Sequence, residues 1–156
     1  MENEILDSKY YAYCGICCLN CYQTIYVGPA AKALRSNMKK IGYEKFGHSI
    51  PDFDTFWNFL NHIVDDDGCK CCKADGGNPY CKIRICAKEK NVEACAFCED
   101  YPCKEFNNVF KIYPILEEDN IYLKENGFNL WSEMQKKRRI DGYTYTDSLP
   151  DYKKSK

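Results

Sequence analysis

Twelve of the 156 residues are cysteine, and they fall into three clusters. Cys14, Cys17, Cys18 and Cys21 form the first, Cys69, Cys71 and Cys72 the second, and Cys81, Cys86, Cys95, Cys98 and Cys103 the third. C-x2-C steps join Cys14 to Cys17, Cys18 to Cys21, Cys69 to Cys72 and Cys95 to Cys98. Two intervening residues let a tight turn aim both thiolates at one ion, at Zn–S distances of about 2.3 Å. One such step is a weak signal. Four of them, with Gly15 and Gly68 at hand to relax the backbone, point to metal.

Other uses of the thiols fit less well. The N-terminus MENEILDSKYYAY has neither a basic n-region nor an apolar h-region, so it does not read as a secretory signal. No apolar run approaches the roughly 20 residues that cross a bilayer. The chain is therefore expected to be cytoplasmic, where thiols stay reduced and a disulfide framework is out of place. A thioredoxin-like pair needs a βαβ context that is missing. The only histidines are His48 and His62, and nothing joins either to a nucleophilic cysteine. Cys14, Cys18 and Cys21, spaced C-x3-C-x2-C, resemble the cluster-binding loop of radical SAM enzymes. That chemistry sits in a barrel of repeated strand–helix units, and no such series exists here, so no enzyme is expected. Thiolates suit iron–sulfur clusters as well as zinc. Zinc, about two ions, is the first expectation; a [4Fe–4S] or thiol redox protein for electron transfer is the alternative.

Charge narrows the partners. Acidic and basic residues nearly cancel, 23 against 22. This evenness argues against nucleic acid or an anionic membrane, both of which need clustered positive charge. The run Lys136-Lys137-Arg138-Arg139 reads as cations at a helix C-terminus, favoured by the macrodipole. Lys70, Lys73, Lys82, Arg84 and Lys88 are interleaved with the cysteines and can offset thiolate charge. Arg84, between Cys81 and Cys86, is the best candidate to donate a hydrogen bond to a ligand. What remains is a protein partner of unknown identity.

The segments between the clusters must position them. Tyr22, Ile25, Tyr26, Ala30, Ala33, Leu34, Met38 and Ile41 recur at helical spacing, with a start or a kink expected at Gly28-Pro29. Phe53, Phe56, Trp57, Leu60 and Val64 mark a second helix, which Ser49 or Asp52 could cap. Asp65-Asp66-Asp67-Gly68 reads as a turn. A short helix through Phe106 and Phe110 should stop at Pro114, a further one should end in a left-handed Gly127, and a last one should turn Leu130, Trp131 and Met134 inward from Asn129. Strand signals are sparse. The expected fold is small and mainly α, with short helices on cysteine-rich, zinc-knuckle-like loops. One domain is expected over residues 1–141, with 142–156 a loose tail. Ile, Leu, Val and Phe number only 32 of 156, so so thin an aliphatic supply calls for staples.

The segments CGICCLNC after Tyr13, CKCC, CKIRICAKEKNVEACAFCEDYPCKEF and GFNLWSEMQKK resemble the bacterial and archaeal cysteine-rich family of domain of unknown function 3795, from about Tyr10 to Arg139. The resemblance implies metal binding through Cys14, Cys18, Cys21, Cys69, Cys72, Cys81, Cys86, Cys95, Cys98 and Cys103, and implies no reaction. Cys17 and Cys71 stand where the family pattern does not require cysteine. One partition groups Cys18, Cys21, Cys69 and Cys72, and a second groups Cys95, Cys98 and Cys103 with Cys81 or Cys86.

Overall fold

The computed structural model describes residues 6–148. Six α-helices and several 3-10 turns account for the regular structure, and among the described residues the only β pairing is an isolated bridge between Tyr11 and Cys17. The fold is mainly α. No described helix is long and apolar enough to cross a membrane. The chain packs as two compact units where the sequence marked no boundary: Tyr22–Lys70 is one, and the segments on either side of it form the other.

The inserted unit is built on α1 (Gly28–Ile41), the single turn α2 (Tyr43–Phe46) and α3 (Phe53–Asp65). A π-turn at Gln23–Val27 leads straight into α1, so Pro29 falls in the first helical turn, where its missing N–H leaves no bond unmade. Gly28 is required by a close approach. A Cβ there would lie 2.8 Å from the carbonyl oxygen of Asp67. Ala31, Leu60 and Val64 make the small core, with Trp57 stacked on Phe53 at 5.5 Å. The expected apolar face of α3 is narrower than its spacing suggests, because Phe56 is 41% exposed. Asp52 takes the cap position, but only its backbone oxygen engages, accepting from the Phe56 N–H at 3.0 Å. His48 and His62 are exposed, and His48 pairs with Asp54 on the surface.

The outer unit holds α4 (Lys82–Glu89), α5 (Phe106–Ile112) and α6 (Ile115–Ile140). Pro114 separates α5 from α6, as expected. Gly127 interrupts α6, but with φ 77° and ψ 173° it is not the left-handed helical stop that was expected. That region is open in practice only to glycine, and a Cβ would meet nothing within 4 Å, so conformation and not space demands it. Leu116, Leu123 and Trp131 are fully buried against Tyr11, Cys17, Ala94 and Ala96.

The segment after α6 does not begin as a loose tail. Thr144 and Tyr145 are buried, and the Tyr145 hydroxyl accepts from the Cys17 N–H at 2.9 Å. The rest of the expected tail, 149–156, lies outside the described residues. Tyr145→Phe leaves that N–H without its acceptor and should cost about 1–3 kcal/mol by urea denaturation. Tyr80→Phe, at a residue 84% exposed, should cost nothing measurable. Burial also holds the Tyr145 phenol well above its ordinary value of 10.0. Its share of stability is therefore complete below pH 10 and is lost as the pH rises further, because only the unfolded phenol ionises. The alkaline fall in the urea midpoint should be shallower in Tyr145→Phe.

Candidate metal centre

The first cysteine loop is a tight turn held by its own backbone. Gly15 N–H donates to Ala12 O, and Ala12 N–H to Ile16 O, both at 2.9 Å. Gly15 has φ +100°, and a Cβ on it would lie 2.3 Å from Asn120 Oδ1. Glycine thus lets α6 reach the loop, where Asn120 Nδ2 donates to the Cys14 carbonyl at 3.0 Å. Asn20, fully buried, donates from Nδ2 to both the backbone oxygen and Oε1 of Gln135. Helix α6 therefore holds the loop at both ends.

Around this turn, backbone N–H groups point at sulfur. Ile16 donates toward Cys14, Leu19 and Asn20 toward Cys17, Tyr13 toward Cys72, and Cys72 toward Cys18. Such donors favour thiolate and suit a metal ligand. Burial acts the other way and is stronger: it pushes the Cys14 thiol up to about 12, with Cys72 and Cys81 adding to the push. Cys72 is raised by burial and by Cys81, and Arg84 opposes the rise. Arg84 is buried and clamps the neighbouring loop, donating to Gly76 O at 2.6 Å and Asn78 O at 2.7 Å. It also reaches Cys72, a cysteine outside the Cys81 to Cys86 stretch in which the sequence sets it. Cys14, Cys72 and Cys81 thus form one electrostatic group, and Cys18 packs beside Cys14 and Cys72.

A second group gathers around one cavity beside α4. Cys86 from α4, Cys95 and Cys98 from a 3-10 turn (Cys95–Phe97 and the residue after it), and Cys103 line one cavity of about 440 Å³. Cys95 N–H donates to Tyr13 O at 2.9 Å, tying this turn to the first loop. Burial pushes the Cys95 thiol up to about 12, and Cys14, Cys103, Cys86 and Cys98 all contribute. The sequence left the fourth member open between Cys81 and Cys86; Cys86 lines the cavity, and Cys81 lies with Cys14 and Cys72.

Cys69 and Cys21 are two further sequence-derived candidates. Cys69 belongs to the inserted unit, where its N–H donates to Asp66 O at 3.0 Å after Gly68. Cys21 lies near Tyr113, adding to the upward push that burial gives that phenol. Cys71, which the family pattern leaves out, is engaged: a hydrogen bond between its sulfur and Cys18 raises the Cys18 thiol and lowers that of Cys71. Nothing in the spacing sets Cys71 apart, so only the folded chain reveals it. Cys17, also outside the pattern, is a fully buried core residue. Among the described residues, no three or more His, Cys, Asp or Glu side chains are drawn together closely enough to hold a single ion.

Fold and site together define a small, mainly helical, cysteine-rich protein whose thiols collect on loops braced by one long helix. The chain belongs to the family described as protein of unknown function (DUF3795), which matches residues 10–108. All twelve cysteines fall inside that match, and GFNLWSEMQKK lies beyond it. No curated protein and no solved structure matches the chain.

Proposed function

We propose that the protein holds about two thiolate-bound metal centres that stabilise its fold, and that it serves as a binding or regulatory module in the cytoplasm with a protein partner. The observation that carries this reading is the convergence of Cys86, Cys95, Cys98 and Cys103, from three separate segments, on one cavity. The buried thiols of Cys14 and Cys95, both pushed up to about 12 by burial, are poor nucleophiles at neutral pH, which speaks against catalysis by these two. Metal binding would displace their protons and draw the sulfurs inward. The second centre would use Cys14, Cys18, Cys72 and Cys81, with zinc the fitting ion for a closed set of four thiolates. A closed site leaves no position for water or substrate, so it acts as scaffold.

Metal analysis decides the matter. Protein made without added metal or a metal-leaching column, purified without oxygen, should carry metal at two centres per chain by native mass spectrometry. Cys17→Ser should keep that content, whereas Cys98→Ser should lose one centre. A folded chain free of any metal would overturn the reading.

A further inference from the structure

We propose that Cys18 and Cys71 are an oxidant-sensing thiol pair, which hydrogen peroxide closes to a disulfide, taking Cys18 from the second metal centre. The pair stands on its own geometry, and only the loss of metal rests on the thiolate-metal reading. Both residues belong to the outer unit and are buried in one cluster with Ala12, against which Cys14 and Cys72 pack. A hydrogen bond joins the two sulfurs, and the Cys72 N–H also donates toward Cys18. The Cys18 sulfur is thus held at the Cys71–Cys72 step.

The backbone at Cys71 is strained. With φ 71° and ψ 157° it occupies a region that is essentially glycine's. Among the described residues, every other one with positive φ is Gly, Asp or Asn, the types that tolerate it best. The Cys71 carbonyl accepts from the Ala74 N–H at 3.2 Å and the Gly76 N–H at 2.8 Å, and these bonds hold the unfavourable turn. Strain of this kind gathers at functional positions. Here it is borne by a residue whose sulfur meets Cys18, where glycine would sit at ease. Cys71 belongs to neither proposed metal centre, so its sulfur stays uncommitted when both are filled. At 7% exposure each, the two thiols suit a small oxidant of the peroxide class over a bulky disulfide. The Cys71 sulfur attacks one peroxide oxygen, the O–O bond breaks, and hydroxide leaves with the thiol proton as water, giving a sulfenic acid. The Cys18 sulfur then attacks Cys71: the S–S bond forms, the S–O bond breaks, and hydroxide leaves with the Cys18 proton as a second water. From the metal-loaded form the ion departs in place of that proton, and solvent protonates the hydroxide. The two sulfurs give up two electrons, and one peroxide is reduced to two waters.

The test treats the full chain, as purified without oxygen, with one molar equivalent of hydrogen peroxide. Peptide mapping by mass spectrometry should find Cys18 linked to Cys71, with two hydrogens lost, and native mass spectrometry should find one metal centre released. A dithiol reductant with added metal should restore both. Cys71→Gly removes the thiol and relieves the backbone, so it should keep both centres and melt no lower than the parent. The same dose of peroxide should then release no metal. Cys17→Ser, outside the pair, should respond as the parent does. Linkage of Cys18 to Cys14 or Cys72 instead, or equal metal release from Cys71→Gly, would overturn the pair. A metal-loaded chain in which Cys18 and Cys71 stay unlinked would overturn the pair and leave the metal reading in place. A chain that carries no metal yet still links Cys18 to Cys71 would overturn the metal reading and sustain the pair.

Discussion

Stripping the metal with a strong chelator should release Trp131 from its core in one cooperative step. Trp131 is fully buried against Tyr11 at 4.7 Å and Phe128 at 5.6 Å. Yet that core is supplied by a chain with only 32 Ile, Leu, Val and Phe residues, against a backbone entropy cost of about 1–2 kcal/mol per residue. Metal bound by thiolates contributes roughly 10–16 kcal/mol of apparent free energy at neutral pH, more than the whole stability of many domains. Both cysteine groups lie in the outer unit, on its loops and on α4, and the loops adjoin Tyr11, Cys17, Ala94 and Ala96 of the core. The inserted unit is different: its core of Ala31, Leu60 and Val64 contains no cysteine. The two tryptophans are divided between the units, so a Trp57→Phe variant isolates the Trp131 emission. It should shift to the red on chelation and return when metal is restored under reducing conditions. Amide protection in α1 and α3 should survive. A verified metal-free chain whose Trp131 emission and melting temperature were unchanged would show that the cysteines do not hold the fold.

What could be read from the sequence follows from what local physics controls. Phe53, Leu60 and Val64 were legible because a helix must repeat its buried side every three to four residues. Pro114 was legible because it forbids a backbone conformation by itself, whereas Gly127 was legible only as a break and not in the conformation it adopts. The same periodicity overcounted α3, since Phe56 matches the pattern while 41% exposed. Spacing also singled out the Cys95 and Cys98 pair, which share the cavity. The link between Cys18 and Cys71 was not legible, because both stand within cysteine runs whose register only the folded chain fixes. Nor was the return of Tyr145 to Cys17, a bond between residues 128 apart in sequence, with no period to announce it. Long-range polar contacts leave no local signature, and here they join α6 to the cysteine loop.

Asp119→Ala should therefore be among the most damaging single changes outside the cysteines, costing about 3–5 kcal/mol. The carboxylate is 1% exposed, and its Oδ2 accepts from Arg138 Nη1 at 2.6 Å and from Gln135 Nε2 at 3.1 Å. Gln135 passes the constraint on, since its Oε1 accepts from Asn20 Nδ2 at 2.9 Å and from the Tyr145 hydroxyl at 3.4 Å. Removing the carboxylate leaves the Arg138 cation partly buried without its counter-charge and frees the amide that fixes Asn20 beside Cys21. Asp119→Asn keeps the shape and one acceptor, so its cost should be smaller, about 1–3 kcal/mol. Asp119→Leu combined with Arg138→Met should recover much of the loss, because replacing both members of a buried pair avoids the stranded charge. Metal that binds only the native loop loses affinity in step with the native population, so the metal midpoint of Asp119→Ala should move to higher free metal as well. Urea denaturation of the four proteins, with metal titration of the first, measures both effects. A cost below about 1 kcal/mol for Asp119→Ala, at unchanged metal affinity, would show that the cysteine loop keeps its place without α6.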